Sequence, residues 1–336
     1  MGGRQLEFDI AKGIAILCVI VGHLDVVFLQ HLVFLFHMPI FFLISGYFLS
    51  TRRPLGKFVR KKARGLLVPY YFTGALIYLC SIPMSLARGQ DWMVNAGRWL
   101  GGVLYGAPAI WQVPFLWPEF PSFIGALWFL LALFWASLFV RMALALPRRW
   151  MTTVLVIGAA VIAWASAQRI FLPLDVQPGL TAAVFVLAGV WLRQSSLFQR
   201  PARWYVVLAA LALWGWCLTH YHDFYLAADI FEGGLRDWAA AFAVSWLVFL
   251  VSRRLLGTRP GHVLAWYGTY SIYILAFHII ELDLVPWGTV VDAFRAAAVP
   301  AWLLWTAILV VKVVWATGMT CFVRRIPLFR SVYETR

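Results

Sequence analysis

Between its charged clusters the chain runs apolar for whole helical lengths, as in Met151 to Ala167 and Trp238 to Val251. The strands of a closed membrane barrel alternate apolar and polar residues over about ten positions, which these continuous runs do not. The runs therefore predict helices. Breaking the chain where charge interrupts it predicts spans over 10–30, 32–50, 66–87, 123–146, 151–168, 178–193, 204–221, 237–252, 263–281 and 299–322. This is an all-α, polytopic transmembrane helix bundle of about ten spans, and an even number puts both termini on one side.

Composition agrees. The 336 residues are 63% hydrophobic and 12% charged with a mean hydropathy of +0.81, whereas a soluble domain carries about 25% charge. Ten spans leave no room for a separate soluble domain, so residues 1–336 read as a single transmembrane domain. A net charge of +14 raises nucleic acid as a partner, but the charges follow sidedness. Alternate connections hold Arg4, the group Arg52, Arg53, Lys57, Arg60, Lys61, Lys62 and Arg64, then Arg148, Arg149, Arg193, Arg200, Arg203, Arg253, Arg254, Arg259, Arg324, Arg325, Arg330 and Arg336. The opposite connections hold Arg88, Arg98, Arg169, Arg236 and Arg295. By the positive-inside rule both termini are cytoplasmic, the partner is the lipid bilayer and nucleic acid is excluded. The layout suits a multi-pass protein of the bacterial inner membrane.

Cys18, Cys80, Cys217 and Cys321 stand singly in apolar segments, which argues against a disulfide framework or a zinc site. The first run is expected to be a permanent span rather than a cleaved signal: Glu7 and Asp9 precede it, it carries His23 and Asp25, and no small-residue cleavage pattern follows. The largest outer connection, 88–122, carries Pro108, Pro114, Pro118, Pro121, Trp92, Trp99, Trp111 and Trp117; these tryptophans read as an interfacial belt before they read as sugar-stacking platforms.

Candidate chemistry lies in ionisable groups at membrane depth, which are costly there unless paired or facing a cavity. Lys12 and His23 stand eleven positions apart, close to three helical turns, so they share one face about 16 Å apart along the axis. Asp9, one turn before Lys12, offers it an ion pair, and ligand contact and pairing stay equally open. His23 is a functional candidate, with an inter-helix hydrogen bond as its alternative. His37 and His278 are expected at similar depth, and Asp25, Glu281 and Asp283 are placed to orient such imidazoles. Three histidines raise a metal, but no spacing matches a helical H-E-x-x-H site, so none is expected.

The first-helix segment D-I-A-K-G-I-A-I-L-C-V-I-V-G-H from Asp9 to His23, F-H-M-P-I-F-F-L-I-S-G-Y-F-L from Phe36 to Leu49, and K-F-V-R-K-K-A-R-G-L-L-V-P-Y from Lys57 to Tyr70 resemble the acyltransferase-3 family of membrane O-acyltransferases, particularly its fucose 4-O-acetylase-like branch. G-A-L-W-F-L from Gly125 to Leu130 and Y-S-I-Y-I-L-A-F-H from Tyr270 to His278 follow in the family's order. Many members have arginine where this chain has Lys12. Some append a periplasmic hydrolase-like domain, whereas this chain has no G-D-S motif. It is expected either to act on the acceptor directly or to leave completion to a separate periplasmic transferase.

The resemblance implies transfer from a cytoplasmic acyl-CoA, acetyl-CoA by default and another short acyl-CoA otherwise, to a hydroxyl of a sugar, polysaccharide or lipid-linked glycan at the outer face. No tightly bound cofactor is implied. His23 would be the base, with Asp25 orienting it; Lys12, Arg60, Lys61 and Arg64 would hold the donor's phosphates. Ser45 matches the family's S-G pair, either as a nucleophile or, more simply, as a packing residue beside Gly46. Trp128 and Tyr273 match family positions but also suit an aromatic core. His37, His278 and Glu281 are carried as acceptor-binding or proton-relaying residues. The alternative class is a proton-coupled transporter or lipid-linked glycan flippase, for which an internal repeat is the missing sign.

Overall fold

A computed structural model describes residues 5–106, 124–195 and 202–334. The described residues are helical almost throughout, and the chain is a polytopic membrane protein. Its helices are α1 (Leu6–Gly22), α2 (Val27–Phe34), α3 (His37–Tyr47), α4 (Leu55–Lys62), α5 (Val68–Ala87), α6 (Trp92–Tyr105), α7 (Trp128–Ala143), α8 (Arg149–Ala167) and α9 (Val176–Gln194). Then follow α10 (Trp204–Thr219), α11 (Leu235–Arg254), α12 (Arg259–Thr269), α13 (Ser271–Leu284), α14 (Trp287–Ala296), α15 (Ala301–Val323) and α16 (Pro327–Tyr333). Between α10 and α11, strands β1 (Phe224–Tyr225) and β2 (Ile230–Phe231) pair antiparallel, Phe224 opposite Phe231.

Among the described residues seven helical segments are long and apolar enough to cross a bilayer, and α12 with α13, interrupted at Tyr270, makes an eighth if counted as one span. Two expected spans are shorter than drawn. The run expected over 10–30 stops at Gly22, and α10 has 16 residues. At 1.5 Å per residue, 16 or 17 residues cover about 25 Å of a core about 30 Å thick. The connection expected over 88–122 also differs. Trp92–Tyr105 is a helix because Asp91 caps it, accepting from the Met93 and Val94 amides at 2.9 and 3.2 Å, and because Ala96 and Val103 fall on one face. Its aromatic residues hide that period in the sequence. Pro108, Trp111, Pro114, Trp117, Pro118 and Pro121 lie outside the described residues, as do Arg4, Arg200 and Arg336.

The chain forms two compact bodies, each interleaved along the sequence, so neither is a contiguous sequence domain. The first comprises residues 1–59, 132–172 and 176–271. In it α1 packs on α12, α3 and α11, while α9 packs on α3 and α8. The interfaces are close. A Cβ on Gly13 would sit 1.9 Å from the Leu264 carbonyl oxygen, and one on Gly268 1.8 Å from that of Asp9, so α1 and α12 touch backbone to backbone. Gly46 and Gly189 do the same for α3 and α9, against the carbonyls of Val186 and Leu43. Outward, α8 presents apolar Val154 and Ile162, each more than half exposed, as expected of a lipid-facing helix.

The second body comprises residues 60–131, 173–175 and 272–336. A π-helical segment, Ala63–Leu67, joins α4 to α5, which pairs with α6. The Tyr70 hydroxyl donates to the Val103 carbonyl at 2.8 Å, and Gly74 leaves room for the Val103 side chain. α16 packs on α5 and on the π-helical segment, where Tyr333 and Thr73 share a hydroxyl hydrogen bond of 2.8 Å.

Two outcomes follow from this architecture. Gly13→Val should destabilise the protein by about 3 kcal/mol or more, because the obstacle is backbone. Gly158→Val, where a Cβ meets nothing within 4 Å, should be tolerated; equal thermal unfolding of the two in detergent would refute the close α1–α12 contact. In the β1–β2 turn, Asp229 is buried with φ 54°, and burial pushes its carboxyl up to about 7, partly opposed by the Thr181 hydroxyl. The native state therefore holds a proton that the unfolded chain, at about 3.8, releases. The unfolding midpoint should fall as pH rises from about 4 to about 7 and then level. In Asp229→Asn that decline should be smaller, and an unchanged decline would discount the group.

Candidate active site

The candidates of the first body gather on α1, α2 and α3. The amide of His23, at the C-cap of α1, bonds the Ile20 carbonyl, and its ring Nδ1 lies 2.7 Å from the Val19 carbonyl oxygen. A carbonyl can only accept, so Nδ1 carries the hydrogen. In a neutral ring the basic lone pair is then on Nε2. The ring is half-buried. His37 repeats the arrangement, its Nδ1 2.7 Å from the Val33 carbonyl, but it is buried. The two are linked through α2: Gly22 abuts Phe34, whose ring lies 5.2 Å from that of His37.

Asp25 follows in a left-handed conformation, φ 58°, with an exposed side chain. The orientation of His23 expected from Asp25 is supplied instead by the Val19 carbonyl. A carbonyl one turn back is always within reach of a helix-terminal ring, whereas an exposed carboxylate in a turn is better solvated facing outward. Lys12 pairs with Asp9 at 2.7 Å; of the two roles open to it, the structure contains the ion pair. The Ser45 hydroxyl lies 3.2 Å from that of Ser137 on α7, and Gly46 admits the α9 backbone, so the glycine of the S-G pair serves helix packing.

The second body holds the other candidates. Arg60 and Lys61 end α4 and Arg64 lies in the π-helical segment; all three are exposed, while Lys62 between them is turned inward. One π turn shifts register by a residue and separates these cations from a regular α-helical spacing. Trp128 is buried at the start of α7, just after a 3-10 turn over Gly125–Leu127. Gly125, at φ 51°, lies beside Ile279 and Asp283 of α13, so the G-A-L-W run packs on the helix that carries His278.

His278 is buried, with Nδ1 3.3 Å from Glu281 Oε2. Glu281 Oε1 accepts from Lys312 Nζ at 2.6 Å and from the Trp287 indole N–H. The Lys312 ammonium also sits 4.2 Å from the Trp287 ring centroid. Glu281 thus contacts a histidine and pairs with a buried cation as well. Lys312 and Trp287 were missed by sequence reasoning. A signal existed for Lys312, a lone lysine in the middle of the apolar run 299–322. Tyr273 faces elsewhere: its buried hydroxyl lies 3.3 Å from Glu334 Oε1. No cluster of three metal-ligating side chains with metal-site geometry occurs among the described residues.

Lys312→Met should cost about 3–5 kcal/mol by stranding a buried carboxylate, and Glu281→Gln/Lys312→Met should recover much of it. Thermal unfolding in nanodiscs checks this, and a single variant as stable as wild type would refute the pairing.

Known proteins resemble this chain along most of its length. The nodulation protein NolL of Mesorhizobium japonicum is 26% identical over 330 residues, covering 85% of this chain and 80% of its own. NolL of Sinorhizobium fredii is 29% identical over 136 residues, 36% of this chain and 35% of that one. No solved structure matches. The family model described as "Acyltransferase domain" matches residues 5–321, nearly the whole chain, which therefore belongs to the acyltransferase-3 family and is a membrane acyltransferase.

Proposed function

We propose that this acyltransferase moves a short acyl group, acetyl in the simplest case, from cytoplasmic acyl-CoA to a hydroxyl of a sugar, polysaccharide or lipid-linked glycan at the outer face of the bacterial inner membrane. The observation that carries the reading is the tautomer of His23. With Nδ1 committed to the Val19 carbonyl, Nε2 is the basic nitrogen, half-buried at the end of a helix that bears Lys12 eleven positions earlier.

The chemistry balances on that nitrogen. Nε2 takes the proton of the acceptor hydroxyl as its oxygen attacks the thioester carbonyl. The carbon–sulfur bond then breaks, and the imidazolium returns the proton to the departing thiolate. The products are an O-acyl ester and free coenzyme A. Arg60, Lys61 and Arg64 are the exposed cations for the donor's phosphates, with both termini cytoplasmic. Direct transfer is the simpler course, and Ser45, whose hydroxyl meets that of Ser137, is given no covalent role in it. The buried His37 and His278, the latter with Glu281, serve supporting roles. Family membership sets the transporter alternative aside, since the described activity of the family is acyl transfer.

The test is transfer from radiolabelled acetyl-CoA to a glycan mixture by purified protein in nanodiscs. His23→Ala should bind the donor as wild type does and transfer it about 10²- to 10⁴-fold more slowly. A variant that transfers normally removes His23 from the mechanism, and a wild type that binds no short-chain acyl-CoA removes the donor.

A further inference from the structure

The second body has a basic cleft that the proposed chemistry does not use. α15 ends at Val323, Arg324 and Arg325 form the turn, and α16 brings back Arg330 and Glu334. These four side chains and Cys321 line a cleft of about 440 Å³. α16 is anchored on its other side, where Tyr333 is buried against Tyr273, ring centroids 4.9 Å apart, and hydrogen-bonded to Thr73. The anchoring holds Arg330 and Glu334 toward the cleft.

The cleft already holds an anion of its own. Glu334 Oε1 accepts from the Tyr273 hydroxyl at 3.3 Å, and Oε2 lies 3.8 Å from Arg330 Nε. Tyr273 is only 1% exposed, so the donor that holds Glu334 is buried behind the side chains that line the cleft. Among the described residues three guanidinium groups face one carboxylate, an excess of positive charge in a space much larger than a carboxylate fills. Guanidinium forks match phosphate oxygens two at a time, and the volume lies in the range of small-molecule sites.

We propose that this cleft binds a phosphate ester, which enters between Arg324, Arg325 and Arg330 and replaces the Glu334 carboxylate on the Tyr273 hydroxyl. On the acyl-CoA reading, on which this part rests, the ester belongs to the donor, and α16 packs on the π-helical segment that carries Arg64. An anionic phospholipid headgroup offers the same group from the membrane surface.

Cys321 is exposed at the cleft and serves as the reporter, its maleimide alkylation followed by peptide mass spectrometry on full-length protein in phosphatidylcholine nanodiscs. Desulfo-coenzyme A keeps the phosphates and lacks the competing thiol. At about ten times its dissociation constant it should slow alkylation of wild type about tenfold. Protection should vanish in Arg324→Gln/Arg330→Gln and strengthen about two- to fivefold in Glu334→Gln, which removes the internal competitor. Protection by phosphatidylglycerol in the disc, and not by desulfo-coenzyme A, assigns the phosphate to lipid. Protection by neither overturns the site, and weaker protection in Glu334→Gln overturns the exchange. Binding of radiolabelled acetyl-CoA separates the failures: a double variant that binds it as wild type does removes the donor from this cleft but leaves the acyltransferase reading, whereas a wild type that binds none removes the donor reading itself.

Discussion

Lipid tails are as apolar as leucine, so helices in a bilayer gain nothing merely by burying apolar side chains against one another. What holds them is close contact. The contact between Gly13 and the Leu264 carbonyl, matched by Gly268 and the Asp9 carbonyl, sets α1 against α12 at a distance that no side chain permits. The placement of Asp9, Lys12 and His23 along α1 follows from it. The motif that joins lysine to glycine at positions 12 and 13 therefore contains two requirements side by side, a charge and a crossing. Ser45 and Gly46 divide in the same way between a hydroxyl contact and the α3–α9 crossing.

A second constraint is that polar groups at membrane depth must find partners within the protein. Much of that demand is met inside single helices. His23 and His37 bond the carbonyls of Val19 and Val33, as Thr73 bonds that of Pro69, Ser252 that of Val248 and Thr320 that of Ala316. Such bonds span one turn and require nothing of the tertiary structure. The Glu281–Lys312 pair is different in kind. It joins two helices 31 residues apart in sequence, buries both charges and recruits Trp287 and His278 around one carboxylate. Ionised groups carry a desolvation cost that a single neutral hydrogen bond does not repay, which is why this carboxylate has several donors.

The same distinction explains what the sequence made legible. The helices at 151–168, 237–252 and 299–322 were readable because a span is a local property, a run of apolar residues long enough to cross. The Lys12–Asp9 pair was readable because it is one turn long. The break at His23 was not: apolar residues continue through Val26, Val27 and Phe28, and nothing in their composition marks a helix end. Helix α6 was hidden by its tryptophans and glycines. The partner of Glu281 was hidden because pairing between distant helices is set by the fold, although an isolated Lys312 in an apolar run already required a partner. The arginines at 324, 325 and 330 were read only as a sidedness signal, since their convergence with Tyr273 depends on the return of α16.

The three histidines expected at membrane depth share one tautomeric logic and differ in access. In each, Nδ1 is engaged, by a carbonyl in His23 and His37 and by Glu281 in His278, so each neutral ring carries its basic lone pair on Nε2. Tautomer alone does not select among them. Burial does: His37 is 6% exposed and His278 is fully buried, whereas His23 stands half-buried at a helix terminus where the backbone turns away. A general base must reach both an incoming hydroxyl and a departing thiolate, and a ring sealed on all sides reaches neither. A helix end supplies the opening while the last turn still fixes the ring, so under the proposed mechanism the termination of α1 at Gly22, the feature that most shortens the expected first span, gives His23 access to its substrates.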